Sequence, residues 1–381
     1  MELTEIREEI DQIDSTLIDA FIRRMDIADE VAKAKAKTGK RIFDPERERN
    51  KLLSVAERVP DRYKPQAISL FSLLMSMSKT EQARYIASLS ASDAVTRTAY
   101  EYVCSDKPFP ATATVACQGV EGAYSQIAAC RLFEVPGITF FDTFEGVFKA
   151  VSDGFCEFGV LPIENSTAGS VNAVYDLLAK YKFSIERALR LKIDHNLLAK
   201  HGASITDIHE VVSHEQALAQ CESYLKGLGV RTTVVENTAR AAEIVSASER
   251  KDLAALSSRD CASLYGLDVL QSDVQDNDNN YTRFVVISRK NTVYPGATKA
   301  SLMLTLESKP GALYHVLECF YALDINLVKL ESRPIPSRNN EFMFYFDLEC
   351  PSGTDGITGL LATLDDMCPS LTYFGSYAEV L

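Results

Sequence analysis

The feature that most limits how this chain can fold is an apolar repeat close to its N-terminus. From Leu3 to Ala34, apolar side chains recur at intervals of three and four residues, which is the spacing of a heptad seam on a helix. The positions are Leu3, Ile6, Ile10, Ile13, Leu17, Ala20, Ile27, Val31 and Ala34. Gly39 is predicted to end this helix, and residues 1–90 as a whole are predicted to be an all-helical domain.

One cation interrupts the seam. Arg24 occupies a seam position, where a buried guanidinium is costly unless something pairs with it. Lys35 lies about 1100° further round the helix, on nearly the same face and roughly 16 Å along the axis. Ala28 and Ala32, which lie between these two cations, are small and leave space there. This face of the helix is therefore predicted to form a cationic pocket. Arg7 points about 100° away from Arg24, so it could serve only the pocket of a second subunit.

Two more helices are predicted in this domain. Asp44 and Pro45 have the residue types of a helix N-cap and a first helical position. Glu48 follows one turn after Asp44 on the same face. In a third helix, polar Ser78 and Gln82 interrupt an apolar stripe. These positions suit either a ligand pocket or a helical dimerisation module with polar residues that set its register.

Composition disfavours several classes of function. The chain has 53 acidic and 40 basic residues, a balance that argues against nucleic acid as a partner. Its apolar runs are too short to cross a membrane, and its polar, acidic first residues are not those of a signal peptide. The nine cysteines form no Cys-x-x-Cys pair and are typical of reduced thiols in a cytoplasmic protein. The five histidines form no His-Glu-x-x-His motif, so neither a metal nor a cofactor is predicted.

Strand-like and helix-like segments alternate through residues 114–290, after a predicted linker at residues 91–113. This alternation indicates an α/β domain. Five of its strands end in small polar residues just before a helix, and such ends gather at one edge of a parallel sheet. The polar ends begin at Gln118, Glu164, Ser213, Glu236 and Ser257. Together they favour a ligand cleft over ordinary capping.

The most polar of these strand ends follows the apolar run that begins at Phe158. Its tip consists of Glu164, Asn165, Ser166 and Thr167. A helix is predicted to open straight afterwards at Gly169–Ser170, which would set polar groups opposite a helix N-terminus and suit a small anion. A capped strand-to-helix turn is the alternative for this segment taken alone.

The helical segment resembles a known family. Residues 1 to about 88 resemble the all-helical type of chorismate mutase through residues that occur in order and at compatible spacing. These are Arg7, Arg24, Lys35, Asp44, Arg47, Glu48, Ser78 and Gln82. The resemblance implies an intertwined dimer, in which Arg7 reaches the site of the partner, and a Claisen rearrangement as the reaction.

The resemblance also implies roles for these residues. Arg7 and Arg24 are expected to hold the two carboxylates of the substrate, as guanidinium groups do well. Lys35 and Gln82 are expected to donate to the ether oxygen, which gains negative charge as its bond breaks.

For the ring hydroxyl, the expected acceptor is Glu48 with Asp44 nearby, and Arg47 and Ser78 are expected to bind substrate. Because this rearrangement needs no nucleophile and no proton transfer, the site needs neither a catalytic cysteine nor a metal. Holding the substrate in its reactive conformer supplies a large part of the catalysis.

Residues 114–290 resemble prephenate dehydratase. Four motifs match in order: Gly119-x-x-Gly122-Ala123-Tyr124-Ser125, Pro162-Ile163-Glu164-Asn165-Ser166, Ser213-His214-x-Gln216 and Thr282-Arg283-Phe284. The resemblance implies two α/β lobes, similar to periplasmic binding proteins, with the site between them. The family commonly has proline where this chain has Glu215.

At that site the resemblance implies Thr282 as the essential hydroxyl, which donates a hydrogen bond to the departing ring hydroxyl of prephenate. Glu164 is the expected proton source, provided that burial favours its protonated form. Arg283 is the expected clamp for a carboxylate. The remaining substrate-binding residues are expected to be Asn165, Ser166, Thr167, Gln216 and Phe284.

Residues 299–381 are predicted to run strand, helix, strand, strand, helix, strand, the split βαβ pattern of an α+β ferredoxin-like fold. They resemble an ACT domain through Gly311-Ala312-Leu313 and Glu331-Ser332-Arg333-Pro334. The resemblance implies phenylalanine as an effector bound between paired domains; Tyr314 stands where the family often has valine. The expected contacts are Gly311, Ala312, Leu313, Asn326, Glu331 and Ser332. A purely structural dimerisation domain is the alternative.

Together the resemblances imply a bifunctional enzyme of phenylalanine biosynthesis that forms a homodimer or homotetramer. It is expected to turn chorismate into prephenate, and prephenate into phenylpyruvate, CO2 and water, without a cofactor. Two alternatives stay open: a non-catalytic sensor with a ligand-binding cleft, and an enzyme that prefers arogenate, the aminated relative of prephenate.

Overall fold

The computed structural model describes residues 3–38, 44–90, 102–335, 342–350 and 354–380. The chain divides into two compact units. One combines Met1–Glu101 with Thr298–Tyr373, and the other combines Tyr102–Ala297 with Phe374–Leu381. In the described ranges, no helix is long and apolar enough to span a bilayer.

The N-terminal segment is helical, as predicted. It consists of α1 (Leu3–Thr38), α2 (Pro45–Glu57) and α3 (Lys64–Ser90), with a short 3-10 helix at Asp61–Tyr63. The predicted cap of α2 is confirmed, because the Asp44 side chain accepts a hydrogen bond from the Arg47 backbone N–H at 3.1 Å. Both α1 and α2 pack against α3. Gly39 lies outside the described residues.

Most of the seam of α1 is exposed, including Ile27 at 53%, and the buried residues of the helix lie beside the seam. Ala28 and Ala32 are 2% and 0% exposed. The exposed seam in the N-terminal half consists of Leu3, Ile6, Ile10, Ile13 and Leu17, with exposures from 38% to 64%. A heptad stripe of this length in water is unfavourable, so the pattern predicts a second helix against it.

The central segment alternates strands and helices. Its elements are β1 (Val103–Cys104), β2 (Thr112–Gln118), α4 (Tyr124–Leu132), β3 (Val135–Phe141), α5 (Phe144–Ser152), β4 (Phe158–Asn165), β5 (Gly169–Ser170), α6 (Asn172–Tyr181), β6 (Ser184–Lys192), β7 (Asn196–Ala199), β8 (Glu210–Ser213), α7 (Glu215–Gln220), α8 (Glu222–Leu228), β9 (Arg231–Val234), α9 (Thr238–Ala247), β10 (Leu253–Ser257), α10 (Arg259–Tyr265), β11 (Asp268–Gln271), β12 (Tyr281–Ser288) and β13 (Thr292–Val293). The described part of the predicted linker contains β1 and the start of β2, while residues 91–101 lie outside the described ranges.

Most of these strands form two sheets, and β1 and β13 form a separate parallel pair. The first has the order β6-β12-β4-β2-β3, in which β2, β3 and β4 are parallel and β12 is antiparallel to both neighbours. The second has the order β11-β7-β10-β8-β9, in which β8, β9 and β10 are parallel. The predicted polar strand ends are therefore divided between the two sheets and do not lie along one edge. This division is what an arrangement of two α/β lobes requires.

The helix predicted at Gly169–Ser170 is not formed there, and this prediction was wrong. These residues form β5, which pairs antiparallel with the end of β4, and α6 begins at Asn172. The Asn165 side chain accounts for the difference, since its Oδ1 accepts hydrogen bonds from the backbone N–H groups of Thr167 and Ala168 and turns the chain back. The polar strand end is a tight turn and not a helix N-terminus.

The C-terminal segment has the predicted order of strands and helices. Its elements are β14 (Lys299–Leu306), α11 (Ala312–Ala322), β15 (Asn326–Pro334), β16 (Phe342–Glu349), α12 (Thr354–Met367) and β17 (Ser370–Val380). The strand order is β15-β16-β14-β17, and β16 is antiparallel to both of its neighbours. Helices α11 and α12 pack against α3, so this segment up to Tyr373 shares one compact unit with the N-terminal helices. The end of β17 pairs parallel with β6 and belongs to the other unit.

Candidate active sites

Arg24 enters the interior of the helical segment from α1. Its Nη1 donates a hydrogen bond to the Leu74 carbonyl oxygen of α3 at 2.5 Å. Burial lowers the pKa of this guanidinium from its ordinary value, although an arginine remains charged at neutral pH. The cation that interrupts the seam therefore has a partner in the backbone of α3, and its charge is fixed inside the segment.

Lys35 lies where the end of α1 approaches the start of α2. Burial has the largest influence on its ammonium group and lowers its pKa. The charges of Asp44 and Glu48 oppose that shift, whereas the charges of Arg47 and Lys79 add to it. These five side chains therefore share one electrostatic environment, to which all three helices contribute.

Ser78 and Gln82 lie one turn apart on α3. Gln82 is 5% exposed, and its Nε2 donates to Ser78 Oγ at 3.3 Å. Its buried Oε1 has no hydrogen-bond partner among the residues that the structure describes. Because the nitrogen and oxygen of an amide can exchange places by rotation, Gln82 can present either a donor or an acceptor to a ligand.

Glu48 forms an ion pair that the sequence did not predict. Its Oε1 lies 2.9 Å from Lys79 Nζ, with side-chain exposures of 25% for the acid and 12% for the lysine. Lys79 lies beside the polar stripe of α3 and not on it, so the stripe gave no signal for it. Arg7 is exposed near the start of α1, roughly 26 Å along the axis from Arg24, and one chain does not bring the two together.

The second predicted site lies at the paired ends of β4 and β12. Thr282 is opposite Asn165 in the register. Asn165 Nδ2 donates to Thr282 Oγ1 at 2.9 Å and to Asn280 Oδ1 at 2.9 Å. Asn165 and Thr282 are 7% and 8% exposed. The expected hydroxyl is therefore held by the expected amide in a fixed, largely buried geometry.

Glu164 and Arg283 form a separate pair beside this cluster. They are also opposite each other in the register, and because side chains alternate along a strand they lie on the other face from Thr282. Arg283 Nη2 lies 3.4 Å from Glu164 Oε2, and the Glu164 side chain is 34% exposed. Glu164 lacks the deep burial on which its expected role as proton source depended, and it is placed to hold the guanidinium of Arg283.

Gln220 is a residue of this cluster that sequence reasoning missed. Its Nε2 lies 3.5 Å from Asn165 Oδ1, and its Oε1 accepts from Asn280 Nδ2 at 3.0 Å and contacts His195 Nε2 at 2.9 Å. Gln216, which was expected to bind substrate, lies one helical turn earlier on α7. In the described part of the chain, Gln220 makes these contacts one helical turn later on α7, and i, i+4 spacing was the available signal.

Three other residues that were expected to bind substrate interact with the protein itself. Ser166 Oγ donates to the Asn279 carbonyl at 2.7 Å and accepts from the Tyr281 backbone N–H at 2.9 Å. Thr167 contributes its backbone N–H to the turn after β4. Phe284 is 2% exposed inside the core of the first sheet. A role for Phe284 in substrate binding does not fit, because a core side chain does not reach a ligand.

Comparison with known proteins identifies the family. The family model for prephenate dehydratase matches residues 115–292, and that for chorismate mutase type II matches residues 6–83. A bifunctional chorismate mutase/prephenate dehydratase from Aquifex aeolicus is 30% identical over 392 residues, and the match covers 100% of this chain and 99% of that protein. The chain belongs to the bifunctional chorismate mutase/prephenate dehydratase family.

Two further relatives match about 70% of the chain. An arogenate dehydratase/prephenate dehydratase 2 from Arabidopsis thaliana is 38% identical over 275 residues, covering 69% of this chain and 72% of the relative. A solved prephenate dehydratase from Arthrobacter aurescens in complex with L-Phe is 27% identical with a TM-score of 0.63, covering 70% of this chain and 89% of that chain.

Family membership confirms the two activities expected from the sequence. The mutase segment converts chorismate to prephenate by a Claisen rearrangement. The dehydratase segment converts prephenate to phenylpyruvate, CO2 and water. The two reactions follow each other in phenylalanine biosynthesis.

The residues expected to bind an effector in this bifunctional enzyme form two groups. Ala312 and Leu313 follow Gly311 at the start of α11 and line a cavity of about 290 Å³. Asn326, Glu331 and Ser332 lie along β15, the edge strand of its sheet. An edge strand presents unpaired backbone groups and is a ready surface for a second copy.

The buried Cys221 of the dehydratase segment is held in an unreactive state by its environment. All nine cysteines are free. Burial raises the pKa of Cys221 to about 12, which leaves it protonated and a poor nucleophile at neutral pH. In the described ranges, no group of three or more His, Cys, Asp or Glu side chains is placed to hold a metal ion.

Proposed function

We propose that the mutase site binds chorismate with the side chains that α1, α2 and α3 bring together. Arg24 holds one carboxylate, and Arg7 of a second copy holds the other. Lys35 and Gln82 donate hydrogen bonds to the ether oxygen, while Glu48 accepts one from the ring hydroxyl. The observation that supports this most directly is the shared environment of Lys35 and Glu48.

The chemistry of the rearrangement explains this selection of residues. One C–O bond breaks as one C–C bond forms, and no bond to the enzyme is made. The site lowers the barrier by fixing the folded conformer of the substrate and by placing donors at the oxygen that becomes more negative. A partly buried lysine, which is less screened by water than an exposed one, is a strong donor for that oxygen.

We expect the exposed seam of α1 to be an interface between two copies of the chain. Leu17 is 58% exposed on the seam, so Leu17→Asp places a charge in the interface and is expected to lower both the molecular mass in solution and the mutase activity. Burying one leucine contributes about 1.5–3 kcal/mol, and a symmetric dimer contains two. Sedimentation and a chorismate assay measure the two effects.

The matched control for this variant is Thr16→Asp, which adds the same charge beside the seam; Thr16 Oγ1 bonds the Gln12 carbonyl of its own helix. Thr16→Asp is expected to keep the mass and the mutase activity. If Leu17→Asp kept both as well, the seam would not be a dimer interface.

At the dehydratase site we propose that Thr282 donates to the departing hydroxyl of prephenate. Its Oγ1 accepts from Asn165, which directs the Thr282 proton away from Asn165. The ring hydroxyl takes up one proton from solvent and leaves as water, the C–C bond to the ring carboxylate breaks to release CO2, and the electrons of that bond complete the aromatic ring. Arg283 holds a carboxylate of the substrate, Glu164 orients Arg283, and Gln220 holds Asn165.

One assay tests the substrates. Purified protein is given chorismate, and phenylpyruvate is measured; the same protein is then given arogenate, and phenylalanine is measured. We expect phenylpyruvate from chorismate. Faster conversion of arogenate would support the second candidate, which the arogenate dehydratase/prephenate dehydratase relative favours. No conversion of either substrate would favour the non-catalytic sensor.

We further propose that the C-terminal segment, residues 299–381, is an ACT domain that senses phenylalanine. The relative solved with L-Phe supports this effector, and the edge position of β15 supports a site completed by a second copy. The proposed domain limits are 1–90, 114–290 and 299–381, with residues 91–113 as the connection, in a cytoplasmic enzyme.

Added L-phenylalanine is therefore expected to lower the dehydratase rate to a plateau, because it binds away from the prephenate site. Dehydratase rates at fixed prephenate and increasing L-phenylalanine measure this, with D-phenylalanine as the control that should have no effect. A rate and an oligomer size that are both unchanged at saturating L-phenylalanine would rule out the sensor.

A further inference from the structure

The ion pair between Lys79 and Glu48 is not used by the mutase reaction as proposed above. The two charged atoms are 2.9 Å apart, and the two side chains are 12% and 25% exposed. A pair with so little exposure is screened less by water than a surface pair, so its geometry is better defined. It therefore constrains where the carboxylate of Glu48 can point.

The position of Lys79 is fixed by packing on two sides of α3. On one side α3 packs against α2, which carries Glu48. On the other side it packs against α11 and α12, where Ser76 Oγ lies 3.9 Å from Cys319 Sγ. Lys79 and Glu48 also line a cavity of about 500 Å³ whose other wall comes from the C-terminal segment. Lys79 is thus an enclosed lysine and not a solvated one.

Two lysines from different helices, Lys35 and Lys79, lie close enough to Glu48 to interact with its charge. Its charge raises the pKa of Lys35 on α1, while the charge of Lys79 lowers it. A direct pair between Glu48 and Lys35 would occupy the ammonium that is proposed to donate to the ether oxygen. A pair with Lys79 holds the same carboxylate from the side of α3.

We infer that Lys79 is a positioning residue of the mutase site. It binds one oxygen of Glu48, leaves the other oxygen to accept from the ring hydroxyl of chorismate, and keeps the carboxylate from pairing with Lys35. A carboxylate can do this because it has two oxygens and about four acceptor positions. The inference rests on the roles proposed for Glu48 and Lys35.

The test replaces Lys79 with glutamine in the full-length protein. We expect Lys79→Gln to lower the mutase kcat about tenfold or more, with KM for chorismate changed less than threefold, because the substrate clamps remain while the ether donor is diverted to Glu48. Lys79→Arg keeps the charge and is expected to recover most of kcat. In the double variant E48Q/K79Q, kcat should be no lower than in E48Q alone, since Lys79 acts through Glu48.

The matched control is Lys64→Gln. Lys64 begins the same helix and pairs with Asp61 at 2.6 Å at an exposed site, so the variant makes the same charge change away from Glu48 and should keep the wild-type kcat. Thermal unfolding of each variant reports any loss of packing.

Three outcomes would overturn the inference: a kcat within twofold of wild type for Lys79→Gln, a Lys79→Arg variant as slow as Lys79→Gln, or losses in E48Q and K79Q that multiply. If Lys79→Gln were too unstable to assay, Lys79→Arg alone would decide, because a slow but folded Lys79→Arg contradicts a role based on charge. A wild-type rate in E48Q would instead refute the proposed role of Glu48 itself.

Discussion

Replacing Lys35 with methionine is expected to lower the mutase kcat/KM about 10²- to 10³-fold while the dehydratase rate stays unchanged. Removal of a single donor at an oxygen that gains charge has an effect of this size in a desolvated site. Methionine keeps the length and the apolar character of the lysine stem, so the packing of α1 is retained. Chorismate consumption and phenylpyruvate formation from prephenate are measured on the same preparation.

Lys37→Met is the control for Lys35→Met. Lys37 is exposed and lies two residues further along α1, so this variant should have the wild-type rate. The pH profile gives a second check. Burial lowers the pKa of Lys35 below its ordinary 10.5, so donation is present below the lowered pKa and lost as pH rises through it. The alkaline loss of mutase activity should therefore begin earlier than for an ordinary lysine, and a Lys35→Met variant within threefold of wild type would contradict the assignment.

The helical segment was predictable because its signals are local. Apolar residues at intervals of three and four can be recognised within a single helix. The Asp44 cap involves only Asp44 and Arg47, which are three residues apart. Lys79 was not predictable in the same way. Its partner Glu48 lies on another helix, and helical periodicity carries no information on which faces of two helices meet.

In the α/β segment, the end of β4 likewise shows that contacts between distant parts of the chain cannot be read from the sequence. Its polar composition predicted a functional site, and the structure brings Asn165 together with Thr282. The following helix was placed too early, because the Asn165 side chain satisfies the backbone of the next turn. Gln220 was missed because its contacts with Asn165 and Asn280 join segments at least 55 residues apart in sequence. Helix spacing places Gln220 on the same side of α7 as Gln216, but only the folded arrangement shows which residues it contacts.

Thr282→Val is expected to impair only the dehydratase, whereas Lys35→Met impairs only the mutase. Thr282→Val should lower the dehydratase kcat about 10²- to 10³-fold and leave the mutase rate unchanged. Valine has nearly the same shape as threonine but lacks the hydroxyl that donates to the departing group. The fold should persist, because Asn165 Nδ2 retains Asn280 Oδ1 and the Tyr281 carbonyl as acceptors, at 2.9 and 3.3 Å. Phenylpyruvate formation from prephenate measures the loss.

Comparison of three variants separates donation by Thr282 from proton transfer by Glu164. Thr282→Ser restores the hydroxyl and should recover most of the rate lost in Thr282→Val. Glu164→Gln should be milder than Thr282→Val, because Glu164 lies on the other strand face in a pair with Arg283 and keeps an oxygen that can accept from the guanidinium. If Glu164→Gln lost as much rate as Thr282→Val, a carboxyl group that is one-third exposed would have to supply the proton, and the hydroxyl would only position the substrate.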